Sequence, residues 1–372
     1  MSRRYSAMQY VLLGAGLAAC ALTGPAVVGA LHAAPSVRLL AMIPVPGEPI
    51  ESYDIGTVDE KTHLYYQTDR SNKSIDIFDV VKNTFVARVP GFVGFTGNGN
   101  TSGGNGVSLV NNATELWSGD GDSTVKVIDL KQRKIIDTIS TGGKKRANET
   151  DFDPVDQIFL VGNDGTEGVE PSFVTLISTK PGHKILAKIP IERARQIDAP
   201  RYNPKNGLFY VSLPVIDNTN NKGGIAVIDP REAKVLRIIE VMDCAPQGLA
   251  LGPDDHMILG CNAGSSGSKI PPLTAVFDLA SEKVIASTAK MGASDMAGYV
   301  EKLNLYVVGG REAPGGSSIG LIDAKTNEWI QNIPAPPNAH SVVVSHSNGH
   351  MLVPSGKTGG FCGGCILVFG EK

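Results

Sequence analysis

The chain has 372 residues, 43 of them glycine and 23 proline, with only 6% aromatic residues and a formal net charge of -3. That length suits one large all-β domain or two ordinary ones, and the abundance of turn-forming residues favours many short strands over long helices. The mild negative charge gives no electrostatic reason to expect a nucleic-acid backbone as partner, and none is expected.

The first 34 residues differ from the rest. Arg3 and Arg4 precede an apolar run over residues 10–31 that carries no charge. This pattern reads as an export signal and not as part of the fold, which places the mature chain in the periplasm or cell envelope. Its fate stays open between cleavage near Ala30 or Ala33, lipidation at Cys20 within Leu17-Ala18-Ala19-Cys20, and retention as an N-terminal anchor. Any membrane attachment would come through this segment alone. Removing the two arginines leaves 32 basic against 37 acidic residues, a net of about -5 by the same count.

Residues 37–43 (VRLLAMI) form the first strand pattern and have no unit of their own. Then a repeat begins. Seven segments end a strand with two apolar residues and, usually, an aspartate: Ile77-Phe78-Asp79, Val127-Ile128-Asp129, Leu176-Ile177-Ser178, Val227-Ile228-Asp229, Val276-Phe277-Asp278, Leu321-Ile322-Asp323 and Leu367-Val368-Phe369. Successive third positions are 50, 49, 51, 49, 45 and 46 residues apart. In six of the seven units a polar turn and another strand follow. The stretch 123–139 (STVKVIDLKQRKIIDTI) is the clearest case, with period-two alternation on both sides of a charged turn.

A period between the mid-forties and about fifty, with several short strands per unit, is what a propeller blade requires. The seventh unit lacks its outer strand because the chain stops at Lys372. Residues 37–43 supply the missing strand and close the ring, which removes an unpaired edge. The expectation is an all-β, seven-bladed β-propeller over residues 35–372. Two packed β-sandwiches would explain neither the constant period nor the orphan strand.

Five loops are long and glycine-rich: 97–106, 164–172, 217–224, 264–272 and 311–318. Loop variation on a rigid scaffold is where such folds place specificity. Asp120-Gly121-Asp122 lacks the glutamate that would complete a calcium loop, since position 131 is Lys131, and reads as a turn.

Beyond Cys20 there are four cysteines, an even number that favours disulfides in an exported domain. Cys244 and Cys261 flank a turn centred near residue 253.5. Strict cross-strand pairing would sum to 507 and theirs sum to 505, so a cross-strand bond fits within a bulge. Cys362 and Cys365 then pair within FCGGC or stay free. The alternatives for that motif are a redox pair and a zinc site completed by His340, or by His346 and His350.

In a propeller, the residues entering each innermost strand converge at one mouth of the central channel. Here they are Glu51 and Tyr53, Asn105, Glu149, Asp198 with Arg201, Gln247, Asp295 and His340. Carboxylates, amides and one histidine on a ring are the inventory of an oxygen-rich divalent-cation site or of acid/base machinery. The metal set would be drawn from Glu51, Asn105, Glu149, Asp198, Asp295 and His340. The plain alternative is a hydrated channel lining that seven blades are unable to fill.

The LYV-type inner strands, V-x-V-I-D-L strands and K-V-I-x-x-I outer strand resemble the YVTN/YncE-like β-propellers over about residues 36–370. The resemblance implies the fold. Members include binding proteins, surface-layer components and lactonase-like enzymes, so it implies no single activity. The ring of acids and amides resembles in kind the ligand set of gluconolactonase-type propellers, without a linear motif to match. Three readings follow: an exported monomer binding a small molecule or envelope protein on its loop-bearing face, a metal-dependent lactonase-type hydrolase, and a non-catalytic envelope scaffold. No H-E-x-x-H or C-x-x-C-H motif is present in the mature chain.

Overall fold

The computed structural model describes residues 36–371 except 167, 218, 220, 221 and 262–270. The leader and most of the 264–272 loop lie outside the described residues. Among those described, no helix is long and apolar enough to cross a membrane.

Seven four-stranded antiparallel sheets, connected as simple up-and-down meanders, are arranged as a β-propeller. Blade 1 runs Tyr53–Asp59, Leu64–Asp69, Ser74–Asp79 and Thr84–Pro90 from the channel outward. The innermost strands of blades 2 to 7 are Val107–Val110, Ala147–Asp153, Pro200–Asn203, Pro246–Leu251, Met296–Val300 and Val343–Val344. In blade 7 the outermost strand is Arg38–Pro44, which pairs antiparallel with Cys365–Gly370 from the other end of the chain. The ring therefore closes through the orphan segment, as the repeat requires.

Burial follows strand position. Ser74–Asp79 is buried at every residue, being covered on both faces by neighbouring blades, whereas Lys134–Ser140 alternates exposed and covered residues at the outer edge. Because both faces are covered, the polar residues of that strand need partners, and Asp76 has one in Arg88 at 2.6 Å. The recurring aspartate has a local task. Asp79 Oδ1 accepts the amides of Val81 and Lys82, Asp229 Oδ1 that of Arg231, and Asp323 Oδ1 those of Lys325 and Thr326. Each side chain thereby tightens the turn into the outer strand. Six blades also carry a β-bulge at one shared place, between the two apolar residues of the repeat, as at Val127/Ile128. The bulge strengthens local twist and re-aims the outer strand.

The blades approach closely at the channel. A Cβ on Gly106 would stand 2.4 Å from the Cα of Glu149, and one on Gly119 would stand 2.5 Å from two carbonyl oxygens of the next blade. Only glycine permits that approach, and Gly106 thereby holds blade 2 against the residue that carries a channel carboxylate.

Both cysteine pairs are bonded. Cys244–Cys261 has a Cα separation of 5.1 Å and Cys362–Cys365 one of 6.2 Å. In the hairpin, Leu249 faces Leu259 and Pro246 faces Cys261, with a register shift between. Cys244 thus lies two residues before the partner of Cys261. Two disulfides are the chemistry of an oxidising compartment.

Candidate functional site

A cavity of about 670 Å³ opens at the channel mouth into which the inner strands are entered. Its rim and walls include Glu51, Tyr53, Asp54, Arg70, Lys73, Arg146, Glu149, Asp198, Gln247, Asp295, Arg311, Asn338 and His340. Seven blades leave a gap at the centre, and many of the residues that line it are charged.

Hydrogen bonds between blades brace the wall. Arg70, just after the second strand of blade 1, donates from Nε to Gly104 O at 3.2 Å and from Nη1 to Tyr53 O at 3.4 Å. Its Nη2 donates to Asp54 and to Asn105 Oδ1. Asn105 is fully buried and donates onward to Ala147 O at 2.7 Å. Asn105 therefore stands behind the wall, holding Arg70. On the far side, Arg311 grips Asp295 with two parallel bonds, Nη1 to Oδ1 at 2.9 Å and Nη2 to Oδ2, while its Nε donates to Asn338 Oδ1 at 2.8 Å. Such forked guanidinium–carboxylate pairs are among the stronger and more directional polar contacts.

His340 lies parallel to the Tyr53 ring, with centroids 4.8 Å apart and 5° between planes. Its Nδ1 stands 2.7 Å from Asn338 O, so Nδ1 carries the proton and Nε2 keeps a lone pair. Burial, then the Arg311 charge, holds the imidazole below its ordinary range, and it is neutral near pH 7. Burial pushes the Tyr53 phenol up, and its hydroxyl donates to Asn338 O at 3.0 Å.

Glu149 and Asp198 form a carboxyl pair. Burial, together with the charge of Asp198 and a hydrogen bond to it, raises Glu149 well above the usual carboxylate range. Burial raises Asp198 to about 6, opposed by the hydrogen bonds it accepts from Glu149 and, at 2.8 Å, from Gln247 Nε2. The pair shares one proton, since two adjacent buried carboxylates do not both ionise readily. For Asp295 burial works the same way, but Arg311 and then His340 outweigh it and hold that carboxyl below the usual range.

Arg146 differs from the other two arginines. Its Nε is buried with no hydrogen-bond partner, and the nearest carboxylate, Asp54, is 3.8 Å away. The side chain keeps 20% of its surface open. Buried guanidinium nitrogens without partners are uncommon.

Of the residues expected from the sequence, Tyr53, Glu149, Asp198, Gln247, Asp295 and His340 come together around this cavity. Glu51 sits on its rim and accepts the amide of Lys357 at 2.8 Å. Asn105 lies behind it. Arg201 turns away and lines a second cavity of about 600 Å³ near the other end of the channel, where Asp151 also sits. Sequence reasoning missed Asp54, Arg70, Arg146 and Arg311. Asp54 adjoins a chosen residue, Arg146 immediately precedes the inner strand Ala147–Asp153, and Arg70 and Arg311 begin second-to-third-strand loops. A search extended to those loop starts would have found Arg70 and Arg311, and one widened by a residue around the inner-strand entries would have found Asp54 and Arg146.

Ligand atoms of Asp54, Asp295 and His340 lie within 4.8 Å of one another, a spacing compatible with one metal ion. The donor set fits a dication poorly. Both oxygens of Asp295 are held by Arg311 and Asp54 faces Arg70. A divalent ion would have to compete with two guanidinium groups already in place.

No protein-family model matches the chain, and no curated protein matches it in sequence. Among solved structures, a chain of Kuenenia stuttgartiensis hydrazine synthase superimposes with a TM-score of 0.66 at 12% identity, covering 82% of this chain and 92% of that one. At that identity the likeness shows a shared propeller fold and nothing about chemistry.

Proposed function

We propose that this chain is an exported, monomeric binding propeller of the YVTN/YncE-like kind that takes one small polar molecule into the cavity at its loop-bearing mouth. Arg146 carries the reading: its side chain lines a cavity of about 670 Å³, keeps 20% of its surface open, and has its nearest carboxylate 3.8 Å away, beyond hydrogen-bond reach. Arg70 and Arg311 are consumed in bracing the wall. Arg146 is left with donors to offer, and a concave site with a few convergent polar groups is the default place for a ligand. Export is supported by the leader sequence and the two disulfides.

The test is a thermal-unfolding screen of the purified full chain against soluble metabolites. At least one should raise the melting temperature in proportion to its occupancy, and Arg146→Met should abolish the rise. A screen in which nothing stabilises the protein would refute the reading. Mass spectrometry of the mature N-terminus tests export.

The metal-dependent hydrolase is the second reading, favoured by the spacing of Asp54, Asp295 and His340. It requires a stoichiometric divalent metal in gently purified protein and a fall in melting temperature with EDTA. Absence of both would exclude it.

A further inference from the structure

Deepening that reading, and resting on it, we propose that the cavity selects an α-amino acid, with its ammonium on the Asp54–Asp295–His340 face and its carboxylate on Arg146.

The first argument is shape. Three acceptor atoms around one ammonium nitrogen, each about 2.8 Å away in tetrahedral directions, stand about 4.6 Å apart. One atom from each of Asp54, Asp295 and His340 lies within 4.8 Å of the others. An ammonium brings three donors and a single charge. It therefore suits acceptors that are already partly engaged by arginine, where a divalent ion would need them outright.

The second argument is charge. Asp54 faces Arg70 and Asp295 faces Arg311, so those carboxylates are balanced. A ligand carrying only positive charge would meet Arg70, Arg146 and Arg311 without compensation. One carrying only negative charge would meet Asp54, Asp295 and the Glu149–Asp198 pair. A zwitterion adds no net charge and satisfies both signs locally, which matters where desolvation makes an unpaired charge costly.

The third argument is distance. Arg146 Nη1 and Asp54 Oδ2 are 3.8 Å apart, too far for a hydrogen bond. A ligand whose ammonium meets Asp54 and whose carboxylate meets Arg146 therefore carries its two charges close together, which favours an α-amino acid over a longer spacer.

The experiment is calorimetric titration of the full-length protein with glycine, L-alanine, L-leucine and L-glutamate. They are set against β-alanine, 4-aminobutanoate, propionate, ethylamine and glucose. An α-amino acid should bind saturably. Propionate and ethylamine, each lacking one charged group, should bind at least tenfold more weakly, as should 4-aminobutanoate with its longer spacer. Arg146→Met should lose at least tenfold in affinity for the amino acid; should that variant fail to fold, the analogue series on the unaltered chain decides alone. Binding of glucose or propionate with no binding of any α-amino acid would overturn the ligand class while leaving the cavity a binding site. If neither this panel nor the wider metabolite screen yields a ligand, both proposals fall.

Discussion

The two disulfides differ in what they constrain, and their removal should separate them. Cys244–Cys261 joins residues 17 apart in sequence, and both cysteines are buried, at 1% and 0% exposure, within the apolar cluster between blades 4 and 5. Cys362–Cys365 spans 3 residues and ties a part-exposed loop cysteine, Cys362, to the buried first residue of the strand Cys365–Gly370. Restricting the unfolded chain by a closed loop of 17 residues contributes about 3 kcal/mol at 25 °C, and by one of 3 residues about 1.5 kcal/mol. Removing the two buried sulfurs of Cys244 and Cys261 adds a packing loss of about 1 kcal/mol, and removing the one buried sulfur of the other pair, that of Cys365, adds about half as much. The double variant Cys244→Ala with Cys261→Ala should therefore lose about 4 kcal/mol, and Cys362→Ala with Cys365→Ala no more than about half of that. Urea unfolding of oxidised wild type and both variants, followed by tryptophan fluorescence and circular dichroism, measures the difference. Alkylation under graded reductant should also trap Cys362 before Cys244, because the exposed sulfur is attacked first. Equal losses in the two variants, or earlier trapping of Cys244, would refute the reasoning.

Arg70→Met should cost about 3–5 kcal/mol, since it leaves the buried Asp54 carboxylate without its main partner. Adding Asp54→Asn should recover part of that loss in a double-mutant cycle, and a cycle with no coupling would contradict the bracing role. Asp69 is fully buried in blade 1, where burial, and then the nearby Asp76 charge, pushes its carboxyl up to about 7 against the pull of Asn72 and Arg88. Its folded value lies above the ordinary value of about 3.9, so the folded state holds the proton more tightly. The corresponding stability is present in full below about pH 4 and is lost as pH rises through about 7. Asp69→Asn should flatten the fall in melting temperature between pH 5 and 8; an unchanged slope would show that Asp69 does not titrate there.

The number of blades and the closing strand were legible because both are periodic properties. Apolar alternation at period two, the turn aspartate and a constant repeat recur at each unit, so local chemistry repeated seven times reports the global fold. The site was legible only in outline. Positions just before the inner strands could be read off the repeat, which is how Glu149, Asp198, Asp295 and His340 were found. Their roles depend on partners from other blades. Arg70 meets Asn105 across a blade boundary, and Tyr53 lies on His340 from opposite ends of the chain. No periodic pattern contains such pairings. Arg201 illustrates the converse error, because a shift of three residues along a channel strand carries a side chain toward the other end.

The central claim is that the loop-bearing cavity is a binding site organised by Arg146. The most direct measurement is a crystal structure of the full chain with the tightest ligand from the metabolite screen, paired with calorimetry of wild type and Arg146→Met. The account predicts one ligand in the cavity, bonded to the Arg146 guanidinium, with at least a tenfold loss of affinity in the variant. A ligand bound elsewhere, or equal affinity in the two proteins, would contradict it.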